Sequence, residues 1–393
     1  QKYLLDALSD RPPLVLEFDE HRGEAGMVTR IEAYLDQIRQ QAPARPRRPE
    51  RMPKPPSRLD QGPFYIPYFA DHAHAFAGAL RFLGAHAEVL PPPDAESVAL
   101  GEAATTGKEC HAYAMIAGDL LRFAAKLDPA RRGTFLFPST SSPCLLTQWG
   151  EGYRMTLAER GYGHVRVLDT GGTRPTVDLL GLRGVVPLWR GLVAADLLVR
   201  WLCEHRPYEV QAGAADAVHA ANLRDLEDSI AADDMAGFIP RALERMASVE
   251  VDRSVPRPLI GVSGDIYTRI NPFANLQLFR ALEGMGCEVW PAPFLVDAAD
   301  FAMSNAVVRG WRESVYHEVA AVLALAVRKD LEAWRIRRRL SARVQRADEP
   351  GYRELMRLSG PYVSNRSVEA LILDVGKMAD FAKRGADGVV HAI

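Results

Sequence analysis

The stretch Gly107-Lys-Glu-Cys-His-Ala-Tyr-Ala-Met-Ile-Ala-Gly-Asp-Leu-Leu121 is followed in the chain by Ser142-Pro-Cys-Leu-Leu-Thr-Gln-Trp-Gly150. In the first stretch small and apolar side chains recur at helical spacing, which places Cys110 in the first turn of a helix. Before the second stretch, the apolar run 134–137 predicts a buried strand, and Cys144 then opens the next helix. Free backbone N–H groups and the helix dipole stabilise a thiolate at such a position, so the two cysteines could share one metal centre.

Strands and helices alternate on both sides of these cysteines. Strands are predicted at 64–69, 87–90, 134–137 and 165–168, and a second series has a strand at 259–262, a helix at 273–284 and a strand at 287–291. Such alternation is typical of a mainly parallel sheet with helices on both faces, in which ligands bind beyond the carboxyl ends of the strands. We therefore predict the α/β fold class, with two Rossmann-like parallel-sheet domains and additional helices between and around them.

The predicted domain boundaries follow changes in this pattern. A strand, a helix and a Pro- and Arg-rich strap occupy residues 1–57, and the first α/β domain, which carries Cys110 and Cys144, occupies 58–187. Residues 188–255 form a helical segment, and 256–393 form a second α/β domain with long helices. The chain stops on a run that is typical of a buried strand, and the loop after such a strand usually carries function. We therefore expect this domain to be truncated at its C-terminus.

Composition narrows the possible classes of function. The chain has 393 residues, of which 48% are hydrophobic, and a formal net charge of −2. Binding to nucleic acid or to an anionic membrane surface needs a dense basic surface, and this charge argues against both. No apolar run approaches the ~20 residues that cross a bilayer. Four cysteines are too few for a disulfide scaffold, so we expect a reducing compartment and a cytoplasmic protein.

Five side chains outside these stretches, two of histidine, one of aspartate and two of cysteine, are interpreted as structural. His72 and His74 lie two residues apart on a predicted helix, so they face different directions and do not chelate one metal together. Asp71 is predicted to cap the start of that helix. Cys203 lies in an apolar helical stripe and Cys287 begins an apolar strand, where a thiol behaves as a small hydrophobic group.

A polar loop follows the strand predicted at 259–262. Its members are Asp265, Tyr267, Arg269, Asn271 and Asn275. Such a set at the carboxyl end of a strand is suited to binding a small ligand. The Gly-x-x-Gly spacing at the start of the loop fits neither the dinucleotide fingerprint nor the P-loop. From the residues alone, a ligand-binding loop and a structural loop are equally open.

Three segments together resemble a known family. They are Gly-Lys-Glu-Cys-His at 107–111, Ser-Pro-Cys at 142–144, and Gly261-Val-Ser-Gly-Asp-Ile-Tyr-Thr-Arg-Ile-Asn-Pro-Phe-Ala-Asn275. They resemble the 2-hydroxyacyl-CoA dehydratase superfamily, in particular the branch of double-cubane cluster proteins and the C-terminal part of fused activase-like proteins. The resemblance runs from about Pro13 to the last residue.

The resemblance implies an iron–sulfur protein with a 4Fe-4S or double-cubane cluster. Such a protein receives a low-potential electron from an ATP-hydrolysing activator and reduces or dehydrates a small substrate, for instance a CoA ester. Cys110 and Cys144 would then be metal ligands. The resemblance also favours substrate binding by a set of polar residues, namely His111, Asp265, Tyr267, Asn271 and Asn275. For His111, a role in capping its helix remains equally open.

The chain departs from the family pattern in two places. Many relatives have a second cysteine where this chain has Tyr113, and a cysteine-containing loop after the strand that ends here at Ile393. A 4Fe-4S cluster needs about four protein ligands, or three with one open iron site. The missing ligands would therefore come from beyond Ile393 or from another chain, and we expect a dimer. The alternatives are a 2-hydroxyacyl-CoA dehydratase subunit proper and a cluster-free regulatory or scaffold protein of the same fold.

Overall fold

The computed structural model describes residues 24–40, 62–139, 144–170, 173–294, 303, 306–308, 310–312, 315–364, 367 and 369–392. The chain divides into two compact units, residues 1–56 and residues 57–393. In the first unit the described residues form one helix, α1 (Glu24–Gln40). The strand predicted before α1 and the Pro- and Arg-rich strap predicted after it lie outside the described residues. All the other described residues belong to the second unit.

The first sheet of the second unit contains four parallel strands in the order β2-β1-β3-β4. The strands are β1 (Phe64–Ile66), β2 (Ala87–Val89), β3 (Gly133–Phe137) and β4 (Val165–Asp169). Every residue of β3 is buried, as expected of a central strand without a solvent-facing side. Strand β1 is shorter than predicted because Pro67, which has no N–H for the ladder, follows it directly.

The second sheet contains three parallel strands in the order β6-β5-β7. The strands are β5 (Leu259–Gly264), β6 (Glu288–Pro291) and β7 (Gly388–Ala392). Two all-parallel sheets connected through helices confirm the predicted α/β class with two Rossmann-like halves.

Helices cover and connect the sheets. They are α2 (Ala73–Phe82), α3 (Ala95–Glu102), α4 (His111–Lys126), α5 (Trp149–Glu159), α6 (Thr173–His205), α7 (Ala214–Ala231), α8 (Met235–Ala247), α9 (Ile266–Ile270), α10 (Leu278–Gly284), α11 (Tyr316–Leu340), α12 (Tyr352–Ser359) and α13 (Glu369–Lys383). Helix α6 is interrupted at Gly181, where φ is 63°. Across the described ranges, every helix is too short or too polar to cross a bilayer.

One main core joins the two halves of the second unit. It combines the strands of the first sheet with helices α2, α4, α6 and α7, and it also includes Tyr267 and Phe294 from beyond the ends of β5 and β6. Helices α3 and α4 approach each other very closely, since a Cβ atom on Gly118 would lie 1.7 Å from the Ser97 carbonyl oxygen. Only glycine is compatible with this contact, which sets the distance between α3 and α4.

Two details differ from the sequence-based predictions. Asp71 does not cap α2: the N-cap is His72, and the Asp71 carboxylate instead accepts hydrogen bonds from Tyr68 and His219. The helix predicted at 273–284 is reduced to α10. Residues 273–277 form a turn because Asn271 and Asn275 accept hydrogen bonds from downstream backbone N–H groups, which competes with helix formation.

Candidate functional site

Cys110 lies at the start of α4, on a turn that its neighbour Glu109 stabilises. The Glu109 carboxylate accepts hydrogen bonds from the backbone N–H groups of Thr106 (2.9 Å) and Lys108 (3.1 Å). These bonds lower the pKa of Glu109 although its partial burial acts in the opposite direction. Gly107 adopts a φ of 79°, which favours glycine. The Gly-Lys-Glu-Cys sequence therefore encodes a tight turn that presents an exposed thiol.

The position of Cys110 follows from the topology of the sheet. Cys110 follows the loop after α3 and directly precedes α4. Helix α4 leads to the first residue of β3, and a helix that connects parallel strands runs antiparallel to them. Its beginning therefore lies at the carboxyl edge of the first sheet, where Cys144 also follows β3.

The ionisation of Cys110 differs from the expected stabilisation of a thiolate. Partial burial raises the pKa of the Cys110 thiol, and negative charge on Cys144 and on Asp265 raises it further. The start of α4 does not overcome these effects. The same effects place Cys144 and Asp265, which comes from the other sheet, within electrostatic range of Cys110.

Cys144 is also exposed and precedes a short 3₁₀ turn, Leu145–Gln148, that continues into α5. Thr147 fixes this turn, because its hydroxyl donates a hydrogen bond of 2.8 Å to the Cys144 carbonyl oxygen. The predicted helix start is therefore correct to within one turn. Residues 140–143, which include the rest of the Ser-Pro-Cys segment, lie outside the described residues.

An aromatic cluster holds the two cysteine-bearing turns together. Tyr113, in the first turn of α4, stacks on Tyr153 with ring centroids 4.9 Å apart and meets Trp149 edge-on at 5.6 Å. Such pairs add about 0.5–1.5 kcal/mol each beyond the burial of apolar area. Tyr113 stands where the family resemblance implies a second cysteine, and here it packs α4 against α5.

The loop after β5 reaches the cysteine region with its first residues. The Asp265 carboxylate accepts hydrogen bonds from the backbone N–H groups of Tyr267 and Thr268 and thereby caps α9. Asp265 itself is exposed. Tyr267 is buried, its hydroxyl has no hydrogen-bond partner among the described residues, and burial followed by the charges of Asp119 and Asp265 raises its pKa.

Farther along that loop, Asn271 and Asn275 use their side chains for hydrogen bonds that hold the backbone in place. Asn271 is fully buried and uses its whole amide: its nitrogen donates to the carbonyl oxygens of Tyr68 and Phe69, and its oxygen accepts from Phe273 and Ala274. An amide makes at most about four such bonds, so Asn271 has no capacity left for a ligand. Asn275 is half-buried and bonds to the backbone of Arg269 and Leu278.

Asp119 is a candidate residue that the sequence-based reasoning missed. It lies on α4 with 2% of its surface exposed, and Ser97 donates a hydrogen bond of 2.7 Å to one carboxyl oxygen. Burial raises its pKa to about 7 even though Ser97 and Arg122 hydrogen-bond to it, and its second oxygen has no partner among the described residues. A lone carboxylate inside the apolar stretch Met-Ile-Ala-Gly-Asp-Leu-Leu was the available signal.

The remaining predicted residues divide into exposed and buried groups. His111 is the first residue of α4 and is exposed beside Cys110. Cys203 is fully buried, and burial raises the pKa of its thiol to about 12, as expected for a structural cysteine. Cys287 is half-buried just before β6. His72 and His74 bond to different partners, Asp196 and Glu227, which agrees with their predicted structural roles.

The thiols present fit an iron–sulfur cluster in part. Cys110 and Cys144 are free, exposed and electrostatically coupled, which suits two ligands of one cluster. Across the described ranges, no group of three or more His, Cys, Asp and Glu side chains is arranged around a common metal position. A complete ligand set would therefore need thiolates other than these two.

The chain was compared with protein-family models, curated proteins and solved structures, and it matches none of them.

Proposed function

We propose that the chain is an iron–sulfur protein in which Cys110 and Cys144 bind one 4Fe-4S or double-cubane cluster. The observation that supports this most strongly is the pair of exposed cysteines on the opening turns of α4 and α5, within electrostatic range of each other. Oxygen-sensitive clusters are bound through thiolates on such accessible turns. The resemblance to 2-hydroxyacyl-CoA dehydratases and double-cubane reductases supports the same role.

In this proposal the bound cluster supplies one-electron transfer to a small substrate, after an ATP-hydrolysing activator has delivered the electron. The activator is inferred from the resemblance, since no phosphate-binding fingerprint appears in this sequence. The exposed side chains of His111 and Asp265 are adjacent to the cysteines and available to orient the substrate.

Asp119 and Tyr267 are the residues best suited to hold a proton near this site. Both are buried, each carries an oxygen without a partner in the described structure, and the charge of Asp119 contributes to the raised pKa of Tyr267. Reduction or dehydration of a substrate requires a proton to move with the electrons. A carboxyl group whose pKa is about 7 can supply and recover one near neutral pH.

The proposal is tested by anaerobic reconstitution with iron and sulfide, followed by iron and sulfide analysis and an absorption spectrum. The unmodified chain should bind iron, and Cys110→Ala and Cys144→Ala should each abolish the absorption of the cluster. The double variant should lose nothing more, because the two thiolates act as one unit. Cys287→Ala is the matched control and should retain the iron content of the unmodified chain.

Two results would contradict the proposal. An iron-free, colourless protein after reconstitution, both in this chain and in a version extended beyond Ile393, would favour the cluster-free regulatory or scaffold protein, and full iron content in Cys110→Ala or Cys144→Ala would place the cluster elsewhere. If iron is bound, titration with a CoA ester distinguishes a dehydratase-like lyase, which should bind it, from a reductase of another small substrate.

A further inference from the structure

Helix α11 (Tyr316–Leu340) has apolar residues on two opposite sides. One side packs on α6, where the Trp189 indole donates a hydrogen bond of 2.9 Å to the Lys329 carbonyl oxygen. The buried apolar residues of this side are Val319, Ala333, Ile336 and Leu340. At about 100° of rotation per residue, a second row of apolar residues lies about half a turn away from them. We call this row the outer stripe, and its members are Tyr316, Ala320, Leu323, Val327, Leu331 and Trp334.

The outer stripe is exposed along its whole length. The exposed fraction is 70% for Val327 and between 41% and 56% for the other four large side chains. Ala320 is exposed as well, and the run 319–327 contains apolar residues throughout. A helix at the surface of a protein normally turns a polar side to water, so a continuous exposed apolar row marks an interaction site.

The spacing of the outer stripe is symmetric about Val327. Counted outward from Val327, the paired positions at four, seven and eleven residues are Leu323 and Leu331, Ala320 and Trp334, and Tyr316 and Arg338. An interface with two-fold symmetry requires that residue i of one copy meets residue j of the other while j meets i. Two α11 helices that meet antiparallel, with the two-fold axis at Val327, satisfy this condition at every one of these positions.

The residues in each pair also complement each other in size and chemistry. Ala320 is small and leaves room for the large Trp334 of a second copy, and the ring of Tyr316 offers its face to the guanidinium of Arg338. Within one copy, Trp311 meets Tyr316 edge-on with ring centroids 5.2 Å apart, and Arg338 stands 5.2 Å over the Trp334 ring. These contacts hold the aromatic side chains in place before association, which lowers the entropy lost on binding.

The basic residues of α11 favour the antiparallel arrangement. They cluster near the end of the helix and are Arg335, Arg337, Arg338 and Arg339. In an antiparallel pair centred at Val327 the two basic ends lie about 30 Å apart, at 1.5 Å per residue, which is well beyond the screening length of ~8 Å. A parallel pair would bring them together. We propose that the outer stripe is the interface of a homodimer in which the α11 helices of two copies meet antiparallel around Val327.

The size of the outer stripe suits a dimer of modest affinity. Complete cover of its five large side chains removes on the order of 500 Å² of surface per copy from water. Crystal contacts bury less than ~400 Å² per partner, and standard interfaces bury ~800 Å². Trp311, which is 60% exposed and contacts Tyr316, can enlarge the covered area. We therefore expect the dimer to dissociate in the micromolar range.

This inference does not depend on the cluster, because none of its residues is a proposed metal ligand. It is tested by sedimentation velocity on the full chain without metal, at concentrations from about 1 to about 100 μM. A reductant keeps the exposed thiols of Cys110 and Cys144 from linking two chains. The fraction of dimer should rise with concentration.

Val327→Glu places two carboxylates against each other at the two-fold axis. It should weaken dimerisation about a hundredfold, because like charges that face each other in an interface repel strongly. Ala321→Glu is the matched control: it makes the same kind of change at an exposed position of α11 outside the outer stripe, and the affinity should equal that of the unmodified chain.

An exchange of side chains tests the antiparallel register. Trp334→Ala leaves a gap opposite Ala320, and Ala320→Trp makes two large rings collide, so each alone should weaken dimerisation about tenfold. The double variant again sets a large side chain opposite a small one and should recover most of the lost affinity. A partner other than a second copy would not produce this recovery.

The inference is wrong if the unmodified chain stays monomeric over this range, if Val327→Glu dimerises as well as the unmodified chain, or if the double variant is no better than Trp334→Ala. Hydrogen exchange of the unmodified chain gives a second test that does not require the variants to fold. Peptides that span 316–338 should exchange more slowly as the concentration rises, whereas those of α4 should not change. Protection that appears only in other segments would overturn the assignment.

Discussion

The turns that carry Cys110 and Cys144 differ from the two histidine–aspartate pairs, His72–Asp196 and His219–Asp71, in how far apart in the sequence their interacting residues lie. Each cysteine turn is local, because Glu109 bonds to residues within three positions and Thr147 bonds back to Cys144. The histidine pairs join residues that are 124 and 148 positions apart in the chain. The thiols are exposed, whereas the imidazoles are buried. A local turn can present a reactive atom at the surface, whereas a long-range pair connects two distant segments of the chain inside the protein.

The difference predicts where stability is most sensitive to the loss of charge. The charged groups of the interior, such as Arg200 and Glu349, are buried and form ion pairs with one another, so removal of one leaves its partner unpaired. Charges near the cysteine turns are closer to water, which screens them. The following predictions test this contrast.

The largest effect is expected for Glu349→Leu. Glu349 is buried between Arg200 and Lys377. Burial acts to raise its pKa, but the two cations lower it to about 2. Its removal leaves the buried Arg200 without a carboxylate and leaves Lys377 paired with Asp380 alone, which should reduce the free energy of unfolding by about 3–5 kcal/mol. Chemical denaturation measures this change.

Glu354→Leu is the control for that prediction. Glu354 forms ion pairs with Arg357 and Lys383 at the surface, so its loss should change the denaturation midpoint little. Equal effects of the two substitutions would show that the Arg200 network contributes no more than a surface pair, and the contrast between the two regions would fail.

A smaller, pH-dependent effect is expected for Asp119→Asn. The carboxyl group has a pKa of about 7 in the folded chain, against an ordinary value of 3.8. Between these values the folded state retains a proton that the unfolded state has lost, so the stability of the unmodified chain falls as the pH rises through this window. Above about pH 7 the asparagine variant should be more stable by about 2–4 kcal/mol, and below about pH 4 the two should be equal.

Denaturation curves across the pH range measure the Asp119 effect. Asp228→Asn, at an exposed position of α7, is the control and should follow the unmodified chain at every pH. A stability difference for Asp119→Asn that is the same at low and high pH would mean that Asp119 stays ionised in the folded protein.

The smallest effect concerns the proximity of the two exposed thiols. A thiolate at Cys144 raises the pKa of Cys110, so at a pH alkaline enough to ionise thiols Cys144→Ala should increase the thiolate fraction of Cys110 and its rate of alkylation. Peptide mass spectrometry after timed treatment with iodoacetamide measures the rate. Cys287→Ala should leave it unchanged, and an unchanged rate in Cys144→Ala would show that the two thiols are too far apart to interact.

Much of the fold followed from the sequence because its signals are short in range. The apolar run of β3 and the Gly-Lys-Glu-Cys turn each specify their structure within a few residues. The two parallel sheets followed from the alternation of strands and helices. The structural interpretation of Cys203 followed from its apolar neighbours and agrees with its complete burial.

The unpredicted features depend on contacts that periodicity does not encode. Asp71 looked like a helix cap because aspartate is common at that position, but a tertiary contact with His219 takes its carboxylate. The raised pKa of Cys110 depends on Asp265, which another sheet contributes. Burial raises the pKa of Asp119, although the Ser97 hydroxyl of α3 donates a hydrogen bond to its carboxylate. In each case the deciding contact comes from a residue far away in the sequence or from tertiary packing.

The saturated amide of Asn271 has a mechanical consequence. It fastens the loop after β5 to the two carbonyl groups that follow β1, and it stiffens that loop with its own oxygen. The two sheets therefore cannot part by a smooth rotation at this point. Separation must first break both donor bonds and would leave a buried amide unpaired, at a cost of about 1–3 kcal/mol. The loop that carries Asp265 and Asn275 is thus tied to the end of β1, and its position follows that of the first sheet.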